Sequence, residues 1–268
     1  MTLIRHELRR AWKPLLIWTL ALSGFLVICL FIYPDMKKEM NSISSLMSGM
    51  GAFSAAFGMD TLNFGTLIGY YGIECGNILG LGGAFFAALL GINALAREEK
   101  DKTAEFLLTH PLNRTEIITS KLTAILIQIV VLNAGVFLLS VCSVAVIGET
   151  VPWKEIILLH TAYLILQVEI ACVCFGVSAC IWRGGMGIGL GLAIGLYFLN
   201  IVANLLIQTD IPKMVSDVLK HISPFGYADA PSIIKNGGLD GLKLLIGLGF
   251  TVFGVGLAYT RYCRKDIR

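Results

Sequence analysis

Charged side chains are scarce in this chain: of 268 residues, 15% are Asp, Glu, Lys or Arg and 56% are hydrophobic. A soluble globular domain carries about 25% charged residues. The apolar residues also form long uninterrupted blocks instead of recurring at a helical or strand period. This composition excludes a soluble domain and predicts an all-α membrane protein with several spanning helices.

Motifs of common enzymes are missing as well. The chain has no G-x-x-x-x-G-K-[ST] loop to cradle ATP phosphates and no H-E-x-x-H zinc motif. Ser178 and His160 fall on one predicted helix, about 27 Å apart at the usual helical rise. That distance is too large for a serine nucleophile and its base. We therefore expect no catalytic residues.

Cysteine is present, but its pattern argues against disulfide bonds and metal binding. Of the seven cysteines, five lie inside hydrophobic runs and one at the edge of a run. Cys172 and Cys174 with Cys180 form only a weak metal pattern, so we expect no bound metal. The net charge of +3 is modest, and we expect no nucleic-acid partner. We also expect no cleaved signal, because no small-residue cleavage site follows the basic start.

The sequence does contain six hydrophobic runs long enough to cross a bilayer. These runs lie at about 14–33, 75–96, 122–148, 156–182, 184–209 and 244–260. Pro14 suits the start of the first helix, and Pro34 is expected to stop it. Residues 2–13 predict a short amphipathic helix in the membrane interface, which is compatible with a plain positive flank of the first span. We expect residues 1–268 to form one transmembrane domain.

Basic residues are distributed unevenly between the two sides of the predicted bundle. With both termini inside, fourteen Lys and Arg, including all nine Arg, fall on the inner side and seven on the outer side. Cytoplasmic loops carry such an excess. We therefore expect both termini and the charged loop 97–121 in the cytoplasm, and the two long segments 34–74 and 210–243 outside.

The outer segments and two glycine rows carry further patterns. Residues 34–74 are expected to form two interfacial helices, with a re-entrant element or packing against the bundle as alternatives, and residues 211–222 predict an amphipathic helix. Small residues spaced by four let another helix approach closely. We expect such packing at two rows: Gly72, Gly76 and Gly80 beside the second span, and Gly187, Gly191 and Gly195 in the fifth.

Glu169 is the acidic residue that the predicted spans place in mid-membrane. An intramembrane carboxylate is costly and by default indicates a functional site. Three roles stay open: proton or cation coupling, contact with a cationic substrate, or a structural hydrogen bond. His160 and Gln167 are neighbours on the same predicted helix, and only His160 could share a face with Glu169.

The segment 97–121, REEKDKTAEFLLTHPLNRTEIITSK, is a strongly charged stretch between two spans. It holds five basic and five acidic residues around an apolar knot, Phe106-Leu107-Leu108. Thr103 can cap a short helix, and Pro111 forces that helix to end just before it. Thr115 can cap the helix that follows. A short helix bent away at both ends suits docking to a partner protein, with an ordinary cytoplasmic loop as the alternative.

This stretch resembles the cytoplasmic loop of type-2 ABC exporter permeases. In that family an acidic-basic patch is followed by Thr, a Leu-rich short helix, Pro, a polar residue with Arg, and a Lys that opens the next span. The matching residues are Arg97-Glu98-Glu99, Thr103, Phe106-Leu107-Leu108, Pro111, Asn113-Arg114 and Lys121. Lys102 departs from the Gly that the family usually has. The six spans, the interfacial helix and the outer segments LMSGMGAFSAAFGMD and ISPFGYADAPSIIKNGG are also similar, so the resemblance covers essentially the whole chain.

The resemblance implies a non-catalytic permease subunit of an ATP-driven exporter in a bacterial cell membrane. Residues 103–110 would form a coupling helix that rests in a groove of a separate ABC ATPase subunit. The docking residues would be Thr103, Glu105, Phe106, Leu107, Leu108, Pro111 and Arg114. Two ATPase copies, which bind ATP and Mg²⁺, would pair with two permease chains, alike or different, in membrane lipid. The permease itself would bind no cofactor.

The cargo and the competing functions follow from weaker signals. The Met-rich outer helix favours a hydrophobic or amphipathic substrate, such as an antimicrobial peptide or a drug. An ion-coupled secondary transporter using Glu169 is the alternative, and it predicts inverted repeats and helices broken at mid-membrane. No repeat between the halves is evident. An intramembrane enzyme is disfavoured by the lack of a reachable catalytic pair.

Overall fold

The computed structural model describes residues 2–39, 51, 54, 56, 62–63, 65–97, 113–181, 185–207, 209 and 211–265. Within these ranges every regular element is helical. The α-helices are α1 Thr2–Lys38, α2 Leu67–Cys75, α3 Gly83–Asn93, α4 Arg114–Val146, α5 Trp153–Cys180, α6 Met186–Leu206, α7 Lys213–Ile222, α8 Ala230–Asn236 and α9 Gly241–Arg264. A π-helix, Gly76–Gly82, joins α2 to α3, and a 3₁₀ turn, Pro224–Gly226, follows α7.

In the described residues, six helical segments are long and apolar enough to cross a membrane. They are α1, the continuous α2–π–α3 helix, α4, α5, α6 and α9, which confirms the predicted all-α fold with six spans. Both ends of the chain lie beside the start of α4, because Glu7 of α1 pairs with Lys121 and Arg114 contacts the end of α9. At the opposite end of the bundle, Lys37 pairs with Glu149 at 2.6 Å. We predict that the end of the bundle that contains the start of α4 faces the cytoplasm, and this orientation stays a prediction.

The first helix is longer than the sequence pattern indicates. Instead of ending at Pro34, α1 continues to Lys38, with both Pro14 and Pro34 inside it. A proline removes one intrahelical hydrogen bond, but an ion pair between Lys38 and Asp35 at 2.8 Å spans the turn beyond Pro34. The predicted stop is therefore wrong. Residues before Pro14 continue the first span without a break, and a separate interfacial helix is not seen.

The second span also begins earlier than expected. It starts at Leu67, where the side chain of Thr66 accepts a hydrogen bond from the Gly69 N–H at 3.2 Å. Residues 67–74 therefore belong to the span and not to the outer segment. The glycine row beside it does admit close neighbours, as predicted: Tyr163 of α5 covers two of its members, and side chains of α8 cover the third.

Helix α5 lies at the centre of the bundle and packs against α3, α4, α8 and α9. Glycines bring the backbones into contact at two crossings. A Cβ on Gly176 would lie 2.5 Å from the carbonyl oxygen of Gly254 in α9, and one on Gly91 of α3 would collide with the carbonyl oxygen of Ala171. Both crossings involve the C-terminal half of α5.

The fifth span, α6, packs through a different face from the predicted one. A Cβ built on Gly187, Gly191 or Gly195 would meet no described atom within 4 Å. Instead Gly189 faces Ile92 of α3, and the buried residues of α6 follow that face. That row points away from the described bundle, so its part in helix packing stays a prediction.

The segment after α6 is helical and folds back against the bundle, unlike the long outer loop that the sequence suggests. The hydroxyl of Ser216 in α7 donates to the carbonyl of Ala203, and that of Ser223 donates to the carbonyl of Leu196, both at 2.8 Å. Leu196 lies about 15 Å before the end of α6 along the helix axis. Thus α7 runs antiparallel to α6 and carries the buried 3₁₀ turn to the middle of the bundle. The amphipathic helix predicted here is confirmed.

Candidate functional site

The exit of the charged loop is a capped helix start. Asn113 is the N-cap of α4, and its backbone N–H donates to the Glu116 carboxylate at 3.2 Å. The sequence pattern suggested Thr115 as the cap, but Thr115 lies within the first turn. A carboxylate at this position stabilises the positive end of the helix dipole. The loop therefore ends at a defined point.

Arg114 ties this helix start to the last span. Its Nη1 donates to the backbone carbonyls of Tyr262 and Cys263, each at 3.1 Å, and of Lys265 at 2.7 Å. The last carbonyls of a helix have no partner within it, so Arg114 closes the C-terminal end of α9. The residue predicted to dock an ATPase thus also has an internal structural partner.

Further contacts surround this joint. Lys121 is 4% exposed and pairs with Glu7 of α1 at 3.2 Å. The ammonium of Lys265 donates to the carbonyl of Ile181, just after α5, at 2.8 Å. The start of α4 is therefore connected directly to α1 and α9, and through Lys265 to the end of α5.

The other predicted docking residues lie outside the described part of the chain. They are Thr103, Glu105, Phe106, Leu107, Leu108 and Pro111. Arg97, just after α3, is the last described residue before them. Their arrangement as a coupling helix stays a prediction.

In the membrane-spanning part, Glu169 is 3% exposed near the middle of α5. The hydroxyl of Tyr227, in the turn that α7 carries inward, donates to its Oε2 at 2.8 Å. Gly247 of α9 faces the same carboxyl, because a Cβ there would collide with Oε2. The contact with Tyr227 joins the segment that follows α7 to the central helix α5.

The predicted neighbours of Glu169 have other partners. His160 Nε2 lies 2.6 Å from the hydroxyl of Tyr71 in α2, and its ring meets Phe137 edge-on. Gln167 points to α4 and the π-helix instead: its Oε1 accepts from Asn133 Nδ2 at 2.7 Å, and its Nε2 donates to the carbonyl of Leu79 at 3.3 Å. The structure therefore does not assemble His160, Gln167 and Glu169 into one site.

The π-helix is a feature that sequence reasoning missed. A π-helical turn widens the backbone spiral, and such turns are frequent at functional sites. Here Gln167 donates to a carbonyl of that turn, and Tyr163 packs on its glycines. The three glycines of GNILGLG are the signal that was available, but they do not specify the wider hydrogen-bonding pattern.

Glu74 is a second acidic residue within a span, and it too was missed. Because the second span starts at Leu67, Glu74 lies inside it, partly buried. The thiol of Cys29 in α1 is its side-chain partner. The adjacent hydroxyl of Tyr70 donates to the carbonyl of Cys29 at 3.0 Å. Because the second span was predicted to start at residue 75, Glu74 fell into the predicted outer segment.

Six helices that are long and apolar enough to cross a membrane define a multi-pass membrane protein. The sequence matches the model of the family described as ABC-2 family transporter protein over residues 1–267. The chain therefore belongs to the ABC-2 type transporter permeases. No curated protein matches it. Members of this family are membrane components of transporters, generally not catalytic themselves, that normally work with an ABC ATPase.

Proposed function

We propose that this chain is the membrane-spanning subunit of an ATP-binding cassette exporter that moves a hydrophobic or amphipathic substrate across the cell membrane. ATP is hydrolysed by a separate ATPase present in two copies, and a second permease chain completes the pore. The family match over residues 1–267 is the observation that carries the proposal. The described joint at Arg114 supports it, because it connects the charged loop to several spans.

The coupling step follows from the loop's chemistry. The apolar side chains of Phe106, Leu107 and Leu108 would enter a groove on the ATPase, and the charges around them would meet its rim. Closure of the ATPase pair would then move residues 103–110 and, through the start of α4, displace the spans. Burial of three large apolar side chains contributes roughly 1.5–3 kcal/mol each, so replacing them with carboxylates should abolish docking.

The test is co-purification and ATP turnover in nanodiscs with the ATPase co-expressed. We expect the triple variant Phe106→Asp, Leu107→Asp, Leu108→Asp to lose the ATPase from the membrane. The control Phe106→Leu, Leu107→Met, Leu108→Met keeps an apolar surface and should retain the ATPase. If no ATPase binds the wild type, or if the aspartate variant binds and turns over normally, the docking proposal fails.

A further inference from the structure

A partly open cavity of about 60 Å³ lies in the half of the bundle that contains the Lys37–Glu149 pair, and its wall is partly polar. It lies between the α2–π helix, α5, α6 and the segment around α8. The volume exceeds that of a single water site. The polar residues of its wall are Asn77, Tyr163, Tyr197, Asn200, Asn204 and Asp229.

Two wall groups are buried without a hydrogen-bond partner among the described residues. Tyr163 is 1% exposed and Asn200 is 8% exposed, and neither the Tyr163 hydroxyl nor Asn200 Oδ1 has a hydrogen-bond partner in the described ranges. An unsatisfied buried polar group costs about 1–3 kcal/mol. By contrast, the Tyr197 hydroxyl is satisfied by Asn77 Oδ1 at 3.2 Å. Asn200 Oδ1 can only accept and the Tyr163 hydroxyl can accept as well as donate, so one occupant that donates hydrogen bonds would satisfy both groups.

The remaining wall adds negative charge and aromatic faces. Asp229 caps α8 by accepting from the Ser232 hydroxyl at 2.6 Å, and its charge acts on Tyr163. Tyr197 and Phe225 meet edge-on, with ring centroids 5.2 Å apart, beside the cavity. Oxygen acceptors, a carboxylate and aromatic rings together favour a cation that carries N–H groups.

We propose that this cavity binds a primary ammonium group. Its three N–H donors match the Tyr163 hydroxyl, Asn200 Oδ1 and the Asp229 carboxylate. The group belongs either to the headgroup of an aminophospholipid or to the amine of an amphipathic cargo. Only the assignment to cargo rests on the proposed function; binding itself does not need the ATPase.

Lys220 provides a test of the charge argument. It is half-buried near the end of α7. Burial, together with the nearby Lys243, lowers the pKa of Lys220, and Asp229 and Asp217 offset only part of that shift. Lys220 does not line the cavity, but its ammonium group interacts electrostatically with the Asp229 carboxylate. Removing it should leave more negative potential for a bound cation. The variants Lys220→Met and Asp229→Asn should therefore change the affinity in opposite directions.

The experiment measures binding of radiolabelled methylammonium to the full chain in phosphatidylcholine nanodiscs without an ATPase. We expect saturable binding that neither sodium nor tetramethylammonium displaces at equal concentration, because neither donates N–H bonds. Asp229→Asn, which retains a good N-cap, should weaken binding about tenfold or more. Tyr163→Phe should also weaken it, and Lys220→Met should strengthen it about threefold.

The matched control is Gln128→Leu. Gln128 Oε1 in α4 is also buried and has no hydrogen-bond partner in the part of the chain that the structure describes. It does not line the cavity, so this variant should bind methylammonium as the wild type does. Absence of saturable binding, equal displacement by sodium, or unchanged affinity in Asp229→Asn would each overturn the proposal.

The same assay distinguishes the two sources of the ammonium group. If phosphatidylethanolamine in the nanodisc competes with methylammonium, the natural occupant is a lipid headgroup. If it does not compete while wild-type binding persists, the site takes a free or cargo amine. Because no ATPase is present, a failure here is distinct from failure of the ATPase-docking test.

Discussion

Glu169 illustrates how a costly buried group is accommodated by one partner. A carboxylate inside a membrane is destabilising unless it is neutral or paired. The Tyr227 hydroxyl supplies a hydrogen bond at 2.8 Å, and the absence of a side chain at Gly247 leaves room for the carboxyl group. This arrangement favours a structural role over ion coupling. In the structural role, the carboxyl group joins α5 to the segment that follows α7.

We expect Tyr227→Phe to destabilise the protein more than Glu169→Gln. The phenylalanine leaves a buried carboxyl without a donor, at a cost of about 1–3 kcal/mol, whereas a glutamine oxygen still accepts from Tyr227. Thermal unfolding in detergent, followed by tryptophan fluorescence, measures both. Tyr259→Phe, which removes an exposed hydroxyl contact to Thr119, is the control.

Transport assays decide the competing role of Glu169. If Glu169→Gln abolishes substrate flux while its unfolding midpoint stays at the wild-type value, the carboxylate takes part in transport and the structural interpretation is wrong.

Helix boundaries depend on contacts that a local pattern does not contain. Pro34 satisfies the local criterion for a helix stop, yet α1 continues past it. Gly69, Gly72 and Glu74 interrupt the apolar run over residues 67–74, yet these residues begin the second span under a Thr66 cap. The π-helix receives a hydrogen bond at its Leu79 carbonyl from Gln167, which comes from another helix. The Lys38–Asp35 pair and the Thr66 cap are close in sequence to the helix ends they stabilise, whereas the contact of Gln167 comes from a distant part of the chain.

The end of α9 provides a prediction for one element. Arg114→Met keeps the length of the side-chain stem but leaves the carbonyls of residues 262, 263 and 265 without this donor. We expect a loss of stability of about 1–3 kcal/mol, with a smaller loss for Arg114→Lys, which retains the charge near the negative end of the helix. Thermal unfolding provides the measurement.

ATPase co-purification separates this role from docking. We expect Arg114→Met to keep the ATPase bound, since Arg114 faces α9. If the ATPase is lost while the unfolding midpoint is unchanged, Arg114 is a docking residue, as the family resemblance implies.

Among the described spans, α1, α6 and α9 are the less enclosed ones, whereas α5 and the second span are largely buried. Large apolar side chains of α6 face outward, and so does the row of Gly187, Gly191 and Gly195. Lipid can cover such a surface, but outward small residues also let a second chain approach closely. The second permease chain proposed above would use this row.

We expect Gly191→Phe to weaken chain–chain association at least about tenfold, which corresponds to about 1.4 kcal/mol. The large ring would separate helices that otherwise touch. Gly249→Phe is the matched control, because a Cβ at Gly249 in α9 also meets no described atom within 4 Å. Single-molecule photobleaching in nanodiscs would count the chains. Equal dimer fractions in the two variants would place the interface elsewhere.

The amino-acid sequence by itself determined the class of the protein, its six spans, the glycine row that meets Tyr163, and the charged loop that identifies the family. These features depend on composition, on the length of apolar runs and on local spacing, and none of these requires knowledge of which helices are neighbours. Only the tertiary structure decided the partners of Glu169, His160 and Gln167, the outward direction of Gly191, the inward course of α7 and the role of Arg114 at α9. Those outcomes depend on which helices become neighbours, and hydrophobicity inside a membrane does not encode that choice, because lipid and protein surfaces are similarly apolar.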